Sequence, residues 1–102
     1  MCGIAGYIAS QVADQTPLKK MTDAIIHRGP DGEGQYYAPD FALGHRRLAI
    51  VDLSEAAAQP MHYLDRYVIT YNGEVYNHPE LREELTRHGY RFNSESDTEV
   101  IL

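Results

Sequence analysis

Apolar and polar residues alternate along this chain with two different periods. From Cys2 to Ala9 the run CGIAGYIA is small and apolar, which predicts a short buried strand whose glycines let neighbouring backbone come close. The polar stretch SQVADQ predicts a loop. At Thr16-Pro17 the period becomes helical: Leu18, Met21 and Ile25 share one face, Pro17 suits the first turn, and Gly29-Pro30 ends the segment. After a turn at Asp31-Gly32, the segments 33–38 (EGQYYA) and 41–51 (FALGHRRLAIV) predict two strands joined through Pro39-Asp40. The segment DLSEAAAQPM predicts a loop, YVITY (67–71) a strand, and Asn72-Gly73 a turn.

A second helix is predicted over HPELREELTRHG, with Pro79 near its start and Gly89 at its end. Leu81, Leu85 and His88 form its inner stripe, and Glu83 and Arg87 are spaced to pair on the outside. YRFN (90–93) alternates as a strand. Ser96-Asp97-Thr98-Glu99 has the form of a capping box that launches a helix at Val100, Ile101 and Leu102. So few apolar residues cannot sustain a helix, so the chain is expected to break off inside an element. Little activity is expected of these residues alone. No repeat, low-complexity tract or linker divides the sequence.

Composition narrows the function classes. The chain has 102 residues, 43% hydrophobic and 24% charged, which suits one globular domain. Its net charge of −6, with no basic patch, argues against nucleic acid and anionic membrane as partners. No apolar run approaches the ~18 residues of a membrane span, and the start does not read as a secretory signal. The single cysteine excludes an internal disulfide framework and makes the reducing cytoplasm the default compartment.

That cysteine is the second residue. Removal of Met1 would put a thiol and a free α-amine on Cys2, two groups that titrate near ~8.5 and ~7.7–8.0 and can exchange a proton. Such a residue is a nucleophile carrying its own base. The alternative is a small buried hydrophobe in the first strand. Three polar segments carry similar alternatives. In IIHRGPDGEG (25–34), His27, Arg28 and Asp31 surround what is otherwise a helix stop and turn. In GHRRLAIVD (44–52) two arginines precede an apolar run, and one lying along it could hold a carboxylate in its planar fork. In YNGEVYN (71–77), Asn72-Gly73 is either a type I′ hairpin turn or a pair of donors, side-chain amide and backbone N–H, for an oxyanion. The five histidines show no zinc-ligand spacing, and no glycine-rich phosphate loop is present.

Taken in order, MCGIAGYI, HRGPDGEG (27–34), GHRRLAIVDLS (44–54), QPM (59–61), YNGEVYNHPELREEL (71–85) and SDTEVIL (96–102) resemble the N-terminal glutaminase domain of class II glutamine amidotransferases, the asparagine synthetase branch above all. Each motif is weak alone; the ordered set is specific and spans almost the whole chain. The resemblance implies an α+β fold of the N-terminal-nucleophile hydrolase type. Its antiparallel sheets are stacked between helical layers (αββα), of which residues 1–102 would hold the N-terminal part, with the synthetase domain absent.

The resemblance implies that Cys2 is the nucleophile and that Asn72 and Gly73 form the oxyanion hole. Arg47 would hold the α-carboxylate of L-glutamine, Asp97 and Glu74 its α-amino group, and backbone of Leu48, Ala49, Ile50 and Val51 would line the pocket. It also implies ATP and magnesium only in the synthetase domain, no cofactor or metal in this chain, L-glutamine and the synthetase domain as partners, and cytoplasmic location, with homo-oligomerisation left open. Ala57 stands where the family commonly has glycine, which would strain the loop if φ there had to be positive. The rival readings are a non-catalytic remnant or interaction fragment, and a glutaminase module serving another ammonia acceptor.

Overall fold

The structure, a computed structural model, describes residues 2–49 and 54–102. It is a small α+β assembly in which a three-stranded antiparallel sheet lies between a helix and a two-stranded sheet. Strands β1 (Gly3–Ile8), β2 (Gly32–Tyr37) and β3 (Phe41–Arg47) make the larger sheet in the order β1-β3-β2, so β3 is central. Helix α1 (Thr16–Ala24) packs against β1 and β3. Strands β4 (Met61–Tyr63) and β5 (Tyr67–Ile69) pair as a hairpin, and helix α2 (His78–Arg87) follows.

Alternation along β3 sorts its side chains between the two neighbours. Ala42, Gly44 and Arg46 point to α1; Leu43, His45 and Arg47 point the other way. Gly44 is bare because a Cβ there would meet Thr22 Cγ2 at 2.5 Å and Leu18 Cδ1 at 3.1 Å. That absence lets α1 lie flat on the sheet and bury Leu18 and Ala42 completely. On the opposite face, a Cβ on Gly34 would fall 1.8 Å from the Gln59 carbonyl oxygen. The loop entering β4 therefore sits directly on β2, where the Tyr36 and His62 rings meet edge to face at 5.0 Å.

Several local expectations are corrected. β1 is covered on one side only, with Ile4 half exposed and Ile8 89% exposed on the other. β3 ends at Arg47, not at 51, and Leu48 and Ala49 continue without strand pairing. β4 begins at Met61, the last residue of the expected loop, and runs into residues that carry no assignment from the sequence, because three residues are too few to show a period. No type I′ turn forms at Asn72-Gly73, since that turn needs positive φ at both residues and neither has it. The turn with those angles is Leu64-Asp65 (φ 55° and 53°), closed by Arg66 N–H on the Tyr63 carbonyl at 3.1 Å.

YRFN is not a strand. Gly89 at φ 94° ends α2, and Tyr90 N–H bonds back to Leu85 O in a Schellman arrangement. Arg82 lies over the Phe92 ring at 4.4 Å. The inner stripe of α2 is therefore Leu81, Arg82 and Leu85, while His88 is exposed. Among the described residues Glu83 and Arg87 make no ion pair; the i,i+4 pair formed is Lys19–Asp23 at 2.8 Å. The capping box is reshaped too. Ser96 Oγ accepts from Thr98 N at 3.2 Å, but the Glu99 carboxylate reaches Asn93 N and Ser94 N at 2.8 and 2.9 Å, and the helix it opens is a 3-10 turn, Asp97–Ile101. Ala57 sits in another short 3-10 turn without positive φ, so the anticipated strain is not there. Among the described residues no helix is long and apolar enough to cross a membrane.

A candidate active-site cleft at Cys2

The open face of β3 ends in a cleft of about 140 Å³. Its walls come from five places: the residue before β1, the end of β3 and the two residues after it, Ala57 and Gln59, the segment 71–74 and the buried turn 96–98. Cys2 contributes the only thiol. Its Sγ lies 3.3 Å from Leu48 N, which donates to it, and 3.6 Å from Leu48 O. The segment HRGPD fixes the backbone around this sulfur. Arg28 Nε donates to the Cys2 carbonyl at 3.1 Å, and Asp31 Oδ2 accepts from Ala49 N at 2.9 Å.

Arg47 lines the cleft beside Leu48 and Ala49, its Nη1 donating to Ser54 O at 2.8 Å. Of the two adjacent arginines this is the one that faces the cleft. Arg46 turns to the helix side, buried and paired with Glu33. Asn72, Gly73 and Glu74 form the opposing wall, all three exposed to solvent. Asp97 is buried at the base, and its Oδ2 accepts from Val75 N at 2.8 Å. A carboxylate has about four lone-pair sites, so this one keeps capacity for a further donor. Ile50 and Val51 lie outside the described residues. The other eight residues singled out from the sequence, from Cys2 to Asp97, therefore border one cleft.

Two residues that the sequence did not single out tie this cleft together. Gln59 Oε1 accepts from Tyr71 N at 2.6 Å and its Nε2 donates to Thr98 Oγ1 at 3.2 Å, linking the wall at 71–74 to the base. His45 lies within the cleft wall, 1% exposed, with Nδ1 2.9 Å from Thr70 Oγ1. Burial first, then the Arg47 guanidinium, pushes its pKa down to about 4, leaving a neutral ring near pH 7. The QPM and GHRRL motifs contain both residues, but nothing in a motif says which way a side chain turns. Among the described residues no group of three or more His, Cys, Asp or Glu is placed to hold a metal ion.

The glutamine amidotransferase domain family matches residues 1–102. Asparagine synthetase [glutamine-hydrolyzing] 1 of Bacillus subtilis is 48% identical over all of this chain, which covers 17% of that protein. The probable asparagine synthetase [glutamine-hydrolyzing] of Dictyostelium discoideum is 43% identical, again over the whole chain and 19% of the relative. The Zea mays asparagine synthetase [glutamine-hydrolyzing] is 39% identical over 99% of the chain and 17% of its own length. The chain thus spans about a fifth of the length of the curated relatives it matches. On a family match that covers every residue, this chain belongs to the glutamine amidotransferase domain family.

Proposed function

We propose that this chain is the glutaminase part of an asparagine synthetase, releasing ammonia from L-glutamine through a thioester on Cys2. The observation that carries the reading is the shared cleft. A thiol held by the Leu48 peptide borders the same small space as one cation, Arg47, and two anions, Asp97 and Glu74. A zwitterionic amino acid needs that charge set, and a site built for both charges rejects analogues lacking either.

In this reading Arg47 binds the α-carboxylate, while Asp97 and Glu74 bind the α-ammonium. Met1 is removed, and the freed amine of Cys2 takes the thiol proton. The thiolate adds to the carboxamide carbon, and the resulting oxyanion is met by the Asn72 side-chain amide and the Gly73 N–H. The C–N bond breaks as the amine returns its proton to nitrogen, leaving ammonia and a thioester. Water then hydrolyses the thioester to glutamate and restores the thiol. The sheets and α1 are the part of an N-terminal-nucleophile fold that presents Cys2. ATP, magnesium and aspartate belong to a synthetase domain outside these residues, which would consume the ammonia.

The test is to determine the amino-terminal residue of the active protein by mass spectrometry and to measure ammonia release from L-glutamine with and without Cys2→Ala. Cys2 should be amino-terminal. Loss of nucleophile function should lower kcat by about 10⁴-fold or more, with an unchanged melting temperature. Full turnover by a species retaining Met1, or by Cys2→Ala, would overturn the mechanism.

A further inference from the structure

His45 carries an observation that the proposed mechanism does not use. Its Nε2 is fully buried and has no hydrogen-bond partner among the described residues, and such atoms in folded proteins call for an explanation. The ring belongs to the wall of the cleft that Cys2 borders. Sheet register places the two close: Gly3 pairs with Arg46 and Ile4 with His45, so Cys2, one residue before the strand, is a diagonal neighbour of His45 on the same face.

The hydrogen bonds at Thr70 assign the tautomer. Thr70 Oγ1 lies 2.9 Å from His45 Nδ1 and 3.3 Å from the Gly44 carbonyl oxygen. A hydroxyl has one proton. Given to Gly44 O, it leaves the oxygen free to accept from Nδ1–H, and both contacts are satisfied. Given to Nδ1, it loses the Gly44 contact and strands an N–H on buried Nε2, which is the rarer defect. Nδ1 therefore carries the proton, and Nε2 presents a lone pair.

We propose that His45 reads the side-chain amide of the substrate: its Nε2, set as an acceptor by Thr70 and covered by the cleft wall until glutamine enters, is uncovered as the substrate seats against Cys2, takes a hydrogen bond from the carboxamide N–H₂ and disfavours the side-chain carboxylate of glutamate. This rests on the glutaminase reading above. The donors of the cleft do not make that distinction. Arg47 and the backbone donors attract a carboxylate at least as well as an amide, and a neutral amide offers two N–H donors where an ionised carboxylate offers none. An acceptor beside the reacting group would therefore favour substrate over product and assist glutamate to leave. The low pKa of His45 keeps the acceptor unprotonated at neutral pH, against the other charged groups of the cleft, Arg47, Glu74 and Asp97.

The experiment measures binding of L-glutamine and L-glutamate by calorimetry to the Cys2→Ala protein, which holds substrate without turning it over. His45→Asn places its amide near Nδ1, keeping a partner for Thr70 while deleting the acceptor; His45→Gln returns an amide oxygen near the Nε2 position. In the Cys2→Ala background, His45→Asn should reduce the preference for glutamine over glutamate by about tenfold, the scale of one hydrogen bond, and His45→Gln should restore much of it. An unchanged preference in a His45→Asn protein that melts like its parent overturns the proposal and leaves the glutaminase reading standing. No glutamine binding by Cys2→Ala overturns that reading, and this inference with it. Should His45→Asn fail to fold, nitrogen-15 spectra of the unsubstituted protein decide. A bare Nε2 that shifts on adding glutamine to the Cys2→Ala protein, and not on adding glutamate, supports the proposal; a proton on Nε2 overturns it.

Discussion

On the helix side of β3, the polar contacts close upon themselves. Arg46 pairs with Glu33, Glu33 also takes Lys19 at 3.1 Å, Lys19 takes Asp23, and Gln35 Nε2 donates to Glu33 at 2.7 Å. Arg46 Nε meets Gly29 O at 3.1 Å, and Leu18 fills the space over Gly44. On the other face of the same sheet, among the described residues, His45 Nε2 has no partner, the thiol of Cys2 hydrogen-bonds only with the Leu48 peptide, and Ile8 of β1 is left largely bare. One face is finished as structure and the other is left ready for something to bind. Substitutions on the two faces should consequently fail in different ways. The helix face should lose stability and the cleft face should lose turnover.

After Cys2→Ala, the largest effect is expected from Asn72→Ala. Its side chain is exposed, so removing it should leave stability within about 0.5 kcal/mol. If its amide meets the oxyanion, kcat should fall by about 10²–10³, or ~2.7–4 kcal/mol of barrier, with KM for glutamine little changed. A rise in KM at constant kcat would reassign Asn72 to ground-state binding.

Leu18→Ala is the counterpart on the helix face. The side chain is fully buried, and truncation should destabilise the fold by about 2–5 kcal/mol. At a temperature where the variant remains folded, KM and kcat should stay near those of the parent. A Leu18→Ala protein as stable as its parent but slower would break the division between the faces.

The sequence showed the two faces unequally. Helix α1, the central strand and both ends of α2 were legible because their signals are local: a repeating apolar face, a proline near the start, a glycine after the end. The cleft residues were legible only as members of ordered motifs. Spacing alone could not tell Arg46 from Arg47, since adjacent residues on a strand point to opposite faces and register decides which meets α1. Likewise the buried carboxylate of Glu99 captures the N–H groups of Asn93 and Ser94, which a strand at 90–93 would have placed in a ladder. Gln59 carries no local signal, because its importance lies in the two distant segments it joins.

A titration separates the faces without substituting Cys2 or Asn72. His45 has its pKa lowered from 6.5 to about 4 by burial, then by Arg47, so the unfolded chain binds a proton that the folded one refuses between those values. Its neutral burial therefore has no effect on stability relative to pH 7 until pH falls below about 6.5, after which stability declines towards pH 4. The full loss is roughly 3 kcal/mol, taking ~1.36 kcal/mol for each pKa unit. Urea unfolding from pH 7 to pH 4.5 should show this decline, and His45→Asn should flatten it. An equal slope in both proteins would assign the acid sensitivity to other groups.

The smallest effect concerns a turn, and it tests whether Asn-Gly at 72–73 is there for chemistry. The hairpin of β4 and β5 bends through Leu64-Asp65 at positive φ, a conformation that L-residues other than Asn, Asp and Gly enter at a penalty of roughly 1–2 kcal/mol. Leu64 is 74% exposed, so nothing in the core is lost by replacing it. Leu64→Asn with Asp65→Gly should raise stability by about 1 kcal/mol in urea unfolding, because Asn-Gly is the pair that type I′ geometry favours. Turnover should not change. At positions 72 and 73 the same dipeptide has ordinary negative-φ backbone, so a turn does not account for it. If the double variant gains stability while Asn72→Ala loses only turnover, one dipeptide will have been shown to act as a turn former at one place and as an oxyanion donor pair at another. If the variant gains nothing, the strain attributed to Leu64 is absent, and the hairpin is held by its register of Met61 with Ile69 and Tyr63 with Tyr67 instead.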